Sequence, residues 1–146
     1  MAHFERTTTV SAPVERVFAY TTDLSKLPEH DTSMIECHAI TPGPLHKNSR
    51  LRMKVRDGDG AQDLEAEITE LTPTSVFAFH TVGSGAYLRR RYTFTPFEGG
   101  TQVHLEGELA LPGLFGRLKE WLWASRAVTR EAEADQAALK RILEAG

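Results

Sequence analysis

Three consecutive arginines, Arg89 to Arg91, stand in the segment YLRRRYTFTP at residues 87–96. A guanidinium group binds phosphate and carboxylate oxygens well, so the triplet could belong to a nucleic-acid surface, an anion site or a solvated face. The net charge of −3 and the isoelectric point near 6.1 argue against a general nucleic-acid-binding protein. No nucleic-acid partner is therefore expected, and the direction of each arginine side chain decides its role.

Other residue types that could carry chemistry give weaker signals. The chain has one cysteine, Cys37, so no disulfide within the chain can form, and a reducing cytoplasm is the expected location. The six histidines include no pair with the i, i+4 spacing of a helical metal site, so neither a metal nor a cofactor is expected. On a regular strand Glu65, Glu67 and Glu70 cannot all share one face, which argues against a pair of catalytic carboxylates.

The residues that position these groups begin with a strand followed by two short helices. Residues 3–10 alternate as in a strand with one buried face. Ser11 is predicted to cap a first helix, with Pro13 in its first turn. Asp23 is predicted to cap a second short helix, which Pro28 should stop or kink.

The middle of the chain is predicted to be one antiparallel sheet. Short Gly- and Pro-rich breaks leave six strand-like segments joined by hairpin-length connections. These segments lie near residues 33–40, 49–56, 63–71, 75–82, 86–95 and 101–110. After Pro112 and Gly113 an amphipathic pattern predicts a long helix that continues to residue 144.

The predicted fold class is α+β, with a single domain over residues 1–146. A seven-stranded sheet with one apolar face must cover that face, and the terminal helix is the only element long enough to do so. Since a curved sheet cannot lie flush along a straight helix, a ligand cavity is expected between them, roofed by the two short helices. No segment has the roughly 18 to 20 continuous apolar residues of a membrane span, so stable membrane insertion is not expected.

Strand alternation predicts which side chains face the helix. In residues 86–95 the set with more apolar bulk is Leu88, Arg90, Tyr92 and Phe94, so Arg90 should point inward. Arg89 and Arg91 should then face water and pair with Glu106 or Glu108. The same alternation predicts inward positions for Leu51, Met53, Val55, Leu64, Ala66, Ile68, Val103, Leu105, Gly107 and Leu109, and for Cys37 together with Ile35 and Ala39.

An inward Arg90 requires compensation, because an unpaired charge in an apolar interior costs several kcal/mol. The compensation could be an internal carboxylate, water or an anionic ligand, so Arg90 is either part of a structural pair or an anchor for a ligand. The predicted ligand-lining residues are Arg90, Tyr92, Phe94, Phe77, Phe79, Met53 and Trp121. The alternative is that the apolar members simply fill the core. Tyr92 adds a hydroxyl that could orient a polar substituent.

Several segments in order resemble one known superfamily. FERTTTVSAPVERVFAYTTDLSKLPEH, ITPGPLHKNSRLRM, ITELTPTSVFAF, YTFTPFEGGTQVHLEGEL and LKRILEA are similar to the START-like (SRPBCC, Bet v 1-like) superfamily, in particular its polyketide cyclase/dehydrase and lipid-transport branch. The resemblance implies a helix-grip fold, in which a curved seven-stranded antiparallel sheet wraps around a long C-terminal helix. One departure is Asn48-Ser49, where the superfamily usually has glycine; asparagine tolerates the left-handed conformation that this turn requires.

The resemblance also bears on His30, because the cavity entrance in this superfamily often follows the second helix. His30, in the segment PEHDT, is therefore a candidate general base. The alternative is a solvated loop histidine beside Asp31. The residues at 111–116 support a separate hypothesis, because two large apolar side chains stand there beside glycines before the terminal helix: the segment is a candidate gate or membrane-touching tip, or else a loop packed on the body.

Three functions follow as hypotheses. The first is binding of a hydrophobic or amphipathic small molecule, such as a lipid, a polyketide or an aromatic metabolite, by a monomer or homodimer. The second is an aromatase/cyclase-type enzyme that uses the same cavity, although no convincing acid–base pair is visible in the sequence. The third is a protein-interaction role on the outer sheet face, which the charged pattern of that face does not favour.

Overall fold

The computed structural model describes residues 2–31, 34–57, 60–83, 87–110 and 133–145. Within these ranges the chain forms seven strands, two short helices with a 3-10 turn between them, and a C-terminal helix. In chain order the elements are β1 (Ala2–Val10), α1 (Val14–Thr21), the 3-10 turn (Leu24–Lys26), α2 (Leu27–His30), β2 (Met34–Ala39), β3 (Arg50–Asp57), β4 (Gly60–Thr72), β5 (Val76–Val82), β6 (Tyr87–Phe97), β7 (Gly100–Ala110) and α3 (residues 133–145).

All seven strands form one antiparallel sheet in the order β1-β7-β6-β5-β4-β3-β2. Strands β2 to β7 follow one another as hairpins, and β1 joins the far side of β7. The predicted antiparallel meander is confirmed. Strand β6, which carries the arginine triplet, lies between β5 and β7 and is therefore hydrogen-bonded on both sides.

The C-terminal helix α3 packs on one face of this sheet, which is called the inner face below. Ala138, Leu139 and Leu143 of α3 are buried in the core. At the helix surface Lys140 Nζ donates a hydrogen bond of 3.1 Å to the backbone oxygen of Thr9 on β1. The predicted sheet-on-helix arrangement is confirmed for residues 133–145. Trp121 and the 111–116 segment lie outside the described residues.

The first helical segments differ in detail from the sequence prediction. Ser11 does not cap α1, because the helix begins at Val14 and Pro13 occupies the capping position without a side-chain hydrogen bond. Asp23 does cap the next turn, since its carboxylate accepts a hydrogen bond of 3.1 Å from the backbone nitrogen of Ser25. Pro28 does not end the second helix; it lies in the first turn of α2, where the missing N–H is tolerated.

The turn before β3 adopts the conformation that the sequence predicts for asparagine. Asn48 has a φ angle of 77°, in the left-handed region. Its backbone nitrogen donates a hydrogen bond of 2.7 Å to the backbone oxygen of Ile68, and the buried Ser49 hydroxyl accepts one of 3.0 Å from the backbone nitrogen of His46. The turn therefore keeps its geometry without glycine.

Strand β2 departs from simple alternation. Its pairing with β3 shifts register between Met34 and Glu36, which is a β-bulge. Met34 and Cys37 are buried as a result, whereas Ile35 is 38% exposed and Ala39 is also exposed. The inward prediction is confirmed for Cys37 and is wrong for Ile35, because the bulge changes the alternation between Met34 and Glu36. Ala39 has the same parity as Cys37 and pairs with the inward Leu51, but it is exposed at the end of an edge strand, so its predicted burial is also wrong.

A second bulge in β4 overturns the prediction for its three glutamates. The register with β5 shifts between Ile68 and Glu70. Glu65, Glu67 and Glu70 all reach the outer face, where they pair with Arg52, Arg50 and Arg91 at 3.6, 3.8 and 2.7 Å respectively. Each carboxylate has an arginine partner at the surface, so the three form part of a charged outer face.

The two outer arginines of the triplet also belong to this charged face. Arg89 pairs with both Glu106 and Glu108 on β7, at 3.3 and 3.2 Å, as predicted. Arg91 does not pair with them; its Nε and Nη2 atoms donate hydrogen bonds to the carboxylate of Glu70 on β4. Exposed pairs of this kind contribute at most about 1 kcal/mol each, so they describe a solvated surface more than a binding site.

Candidate functional site

Arg90 points into the interior, as strand alternation predicts, and is only 2% exposed. Its Nη1 atom donates a hydrogen bond of 2.8 Å to Oδ2 of Asp135 on α3, and its Nε atom lies 3.5 Å from Oδ2 of Asp31, directly after α2. Burial lowers the pKa of Arg90, but the two carboxylates outweigh burial and raise that pKa above its ordinary value. The guanidinium is therefore a fixed charge that ties together β6, α2 and α3.

Phe4 on β1 and Gly107 on β7 lie next to Arg90 on the inner face. Phe4 on β1 places its ring beneath the group, with 5.4 Å from Arg90 Cζ to the ring centroid. Gly107 on β7 is paired with both Phe4 and Arg90, and a Cβ atom there would collide with the Phe4 ring and the backbone oxygen of Arg89. The close packing of Phe4 against β7 therefore requires glycine at position 107.

His30, the last residue of α2, is buried and 1% exposed, so the alternative of a solvated loop histidine is wrong. Burial, opposed by the charge of Asp31 and aided by that of Arg90, lowers the pKa of His30 to about 4. The imidazole is therefore neutral at neutral pH. Its Nε2 atom is buried and has no hydrogen-bond partner within the described ranges of the chain.

Tyr92 lies two residues after Arg90 on the same strand and also faces inward, at 2% exposure. Its ring meets that of His30 edge-on, with 6.4 Å between centroids. Burial raises the pKa of Tyr92, while the nearby positive charge of Arg90 acts in the opposite direction, so the phenol stays protonated. The Arg90 guanidinium lies close enough to this hydroxyl to act on it as a hydrogen-bond donor, but no well-aligned hydrogen bond to the hydroxyl oxygen is formed among the residues that the structure describes.

A row of aromatic rings extends from Tyr92 across the inner face. The Tyr92 ring is stacked against Phe77 on β5 at 5.9 Å and lies parallel to Phe94 at 6.3 Å, and Phe18 of α1 meets Phe94 edge-on at 5.4 Å. Phe79 lies next to Phe77, with 5.7 Å between the ring centroids, and both Phe79 and Met53 are fully buried. The inward placement predicted for Phe77, Phe79, Tyr92, Phe94 and Met53 is confirmed, while their contact with a ligand stays a prediction.

The sequence prediction missed three members of this cluster. Tyr20 of α1 lies 5.5 Å from the His30 ring, and burial, with Glu29 nearby, raises the pKa of Tyr20 to about 12. Asp31 and Asp135 are the carboxylates that compensate Arg90. A signal for Asp135 was present, because it shares a helical face with Leu139 and Leu143 at i, i+4 and i+8; no pattern singled out Asp31.

The arrangement combines an aromatic surface with a small polar cluster at its end. The polar cluster consists of Arg90 with its two carboxylates, and of His30 and Tyr92, which contribute uncharged donor and acceptor atoms. Within the described parts of the chain no group of three or more His, Cys, Asp or Glu side chains is arranged to hold a metal ion. In the same parts no helix has the length and apolar character needed to cross a membrane.

Comparison of the sequence with protein families gives one match over almost the whole chain. The family described as polyketide cyclase / dehydrase and lipid transport matches residues 1–144. No curated protein sequence matches the chain.

Solved structures share the fold at low sequence identity. The aromatase/cyclase Zhui from Streptomyces sp. R1128 aligns with a TM-score of 0.78 and 17% identity over 97% of this chain and 93% of that one. DR_A0006 from Deinococcus radiodurans gives a TM-score of 0.68 and 22% identity over 91% of this chain and 98% of its own. The di-domain ARO/CYC BexL from the BE-7585A biosynthetic pathway gives 0.74 and 20% identity over 97% of this chain and 46% of its own. The TM-scores show a common fold, and at identities of 22% or less the likeness extends to the fold alone.

Proposed function

The chain belongs to the polyketide cyclase / dehydrase and lipid transport family, and from that premise we propose that it binds a hydrophobic or amphipathic small molecule between the inner sheet face and the C-terminal helix. A lipid, a polyketide or an aromatic metabolite fits this class. The observation that carries the proposal is the aromatic row of the inner face, which adjoins buried polar atoms that make no well-aligned hydrogen bond within the described residues.

The aromatic row would supply the binding energy. Burial of apolar surface contributes about 25 cal/mol per Å², so a ligand that buries about 300 Å² against the rings gains roughly 7 kcal/mol before the costs of association. Phe77, Tyr92 and Phe94 present flat, roughly parallel rings, a surface suited to a planar or extended apolar molecule.

The buried polar atoms argue for a ligand with a polar end. A core that served stability alone would place apolar side chains at positions 30 and 92, because a buried donor or acceptor without a partner costs about 1–3 kcal/mol. His30 Nε2 and the Tyr92 hydroxyl are two such atoms at neighbouring rings. An amphipathic molecule would bury its apolar part along the rings and offer its polar part to these atoms.

Two measurements test the binding proposal. Native mass spectrometry of freshly purified protein should show an added mass of a small molecule that organic extraction removes. Titration of the extracted protein with a fluorescent naphthalene probe should then show saturable binding with one site. If the aromatic rings only fill the core, neither an added mass nor saturable probe binding should be observed.

A matched pair of variants locates the binding surface. Phe94 faces inward at 3% exposure, whereas Phe97, three residues further along β6, is 51% exposed. Phe94→Leu should weaken probe binding about fivefold, the equivalent of roughly 1 kcal/mol of lost ring contact. Phe97→Leu should leave binding unchanged. Equal effects of the two changes would place the probe elsewhere.

Catalysis of the aromatase/cyclase type is the second candidate, and the neutral imidazole of His30 beside Tyr92 is the observation that favours it. Binding ranks first because a base whose pKa lies near 4 is about three units below the optimum for proton abstraction at neutral pH. Incubation with an aromatic β-ketone that can cyclise, followed by chromatography, tests the enzyme. Turnover that His30→Gln abolishes, with probe binding retained, would establish it.

A further inference from the structure

We propose that the polar end of the bound molecule is an uncharged hydroxyl or carbonyl group held by His30 Nε2 and the Tyr92 hydroxyl, and that Arg90 serves the fold and is not the ligand anchor. This inference rests on the proposed binding function and specifies its ligand class. The alternative anchor, a carboxylate or phenolate bound to Arg90, was one of the two interpretations that the sequence left open. The contacts of Arg90 argue against this alternative.

Arg90 already has the partners that an anionic ligand would need to replace. Its guanidinium contacts Asp135 at 2.8 Å and Asp31 at 3.5 Å, and all three side chains are at most 2% exposed. A ligand carboxylate beside this group would add a third negative charge to an interior in which charges are poorly screened. To bind Arg90 directly it would have to separate the guanidinium from a buried aspartate, which itself would then need a new partner.

His30 and Tyr92 offer the opposite chemistry. Each is buried and uncharged at neutral pH. His30 Nε2 has no hydrogen-bond partner among the described residues, and the Tyr92 hydroxyl has only the nearby Arg90 guanidinium, without a well-aligned hydrogen bond, so its own proton is available to a ligand. A ligand hydroxyl can donate to one of these atoms and accept from the other, and a carbonyl oxygen can accept from the Tyr92 hydroxyl and from His30 when Nε2 carries the proton. The two rings are adjacent, with 6.4 Å between their centroids and an angle of 82° between their planes, and the proposal places one polar group of the ligand between their two polar atoms.

The Tyr20 ring also lies beside His30, with 5.5 Å between the ring centroids, and the imidazole is only 1% exposed. An ionised ligand group next to His30 would therefore lose its hydration without gaining a free cation among the described side chains. An uncharged group loses much less on the same transfer, because desolvation penalises charge most strongly. The site should therefore bind a ligand with a neutral polar end more tightly than a ligand with an anionic end or a plain hydrocarbon.

A set of four ligands with one skeleton tests this directly. Naphthalene, 2-naphthol, 2-acetylnaphthalene and 2-naphthoate should be titrated against the extracted wild-type protein at pH 7. The naphthol and the ketone should bind about tenfold more tightly than naphthalene, equivalent to one or two hydrogen bonds. The carboxylate should bind no more tightly than naphthalene.

The chain contains a matched control for the two residues. On the outer face of the same strand region, Tyr87 meets His80 edge-on at 6.3 Å, the same pairing of residue types at nearly the same distance as His30 and Tyr92. Tyr92→Phe should reduce the advantage of 2-naphthol over naphthalene to less than threefold without changing naphthalene affinity. Tyr87→Phe should change neither. His30→Gln offers a second inner variant, and circular dichroism checks that each variant is folded.

The outcomes separate this inference from the function on which it rests. If naphthalene binds and all four ligands bind equally, the binding proposal survives and the neutral polar site is overturned. That site is overturned too if 2-naphthoate binds most tightly, or if Tyr92→Phe leaves the naphthol advantage intact, as it would if His30 and Tyr92 held only a water molecule. If none of the four ligands binds, both proposals fall.

Discussion

Replacement of Asp135 by asparagine removes the nearest negative charge on Arg90 while it preserves the shape of the side chain. The structure makes this residue the link between the C-terminal helix and the sheet, through a hydrogen bond of 2.8 Å to Arg90 Nη1. Asp135 and Arg90 are each only 2% exposed. The expected result of Asp135→Asn is a large loss of stability in a protein that still folds.

The size of the loss follows from the geometry. Two unit charges about 4 Å apart interact by roughly 4 kcal/mol at an effective dielectric constant of about 20. An amide at position 135 keeps a weaker hydrogen bond to the guanidinium, and Asp31 at 3.5 Å continues to compensate part of the charge. The unfolding free energy should therefore fall by about 2–4 kcal/mol, a large share of the 5–15 kcal/mol typical of a domain.

Glu133→Gln is the matched control on the same helix. Glu133 forms an ion pair of 3.1 Å with Arg6, but these two side chains are 48% and 49% exposed. A surface pair of this kind contributes about 0.2–1 kcal/mol, so the same change from carboxylate to amide should have a small effect there. Urea unfolding at pH 7, followed by circular dichroism, gives the two free-energy changes, and 1 M salt should diminish only the Glu133 effect.

Similar losses in the two variants, or a loss below about 1 kcal/mol for Asp135→Asn, would refute the argument, because a buried charge cannot lose its closest partner at so small a cost. A salt-sensitive effect at Asp135 would contradict it as well. Any of these results would mean that water or an anion from solution reaches Arg90 and replaces the aspartate.

Three further predictions concern single residues. The pKa of His30 is lowered to about 4 in the folded protein, so between pH 7 and pH 5 the unfolded chain binds a proton that the folded chain does not. The free energy of unfolding should therefore fall by about 2 kcal/mol from pH 7 to pH 5. The urea midpoint of His30→Gln should not show this loss. Cys37 is 6% exposed, and burial raises the pKa of its thiol to about 12. Ellman's reagent at pH 8 should therefore label the native protein at least about 100-fold more slowly than the urea-unfolded protein. Fast labelling of the native protein would contradict this prediction. Gly107→Ala should lower the free energy of unfolding by more than about 2 kcal/mol in the same urea assay, because its Cβ collides with Phe4. The neighbouring change Glu106→Ala should lower it by less than about 1 kcal/mol.

The sequence predicted the sheet well where the strands are regular. Strand β6 alternates without interruption, so the inward direction of Arg90 and Tyr92 followed from counting residues. The same counting failed on β2 and β4, because a bulge in each strand inserts one residue and exchanges the faces beyond it. Ile35 and Glu70 were misplaced for this reason, and no local residue pattern marks either bulge.

The candidate site was only partly predictable because its members come from distant parts of the chain. Arg90 required a partner, and the sequence left open whether it was a carboxylate, water or a ligand. Asp31 and Asp135, which are 104 positions apart along the chain, provide it only once the fold is formed. The burial of His30 depends likewise on the packing of Tyr20 and Tyr92 around it, which local alternation does not report.

The most direct test of ligand binding at the inner face is photoaffinity labelling with a hydroxylated naphthalene that carries a diazirine. Peptide mapping of the labelled protein should place the adducts on inward residues of β5 and β6, such as Phe77, Tyr92 and Phe94, and excess 2-naphthol should suppress them. Adducts on outward residues of the same strands, such as Arg89 or Arg91, or labelling that 2-naphthol does not suppress, would contradict a bound molecule between the sheet and the C-terminal helix.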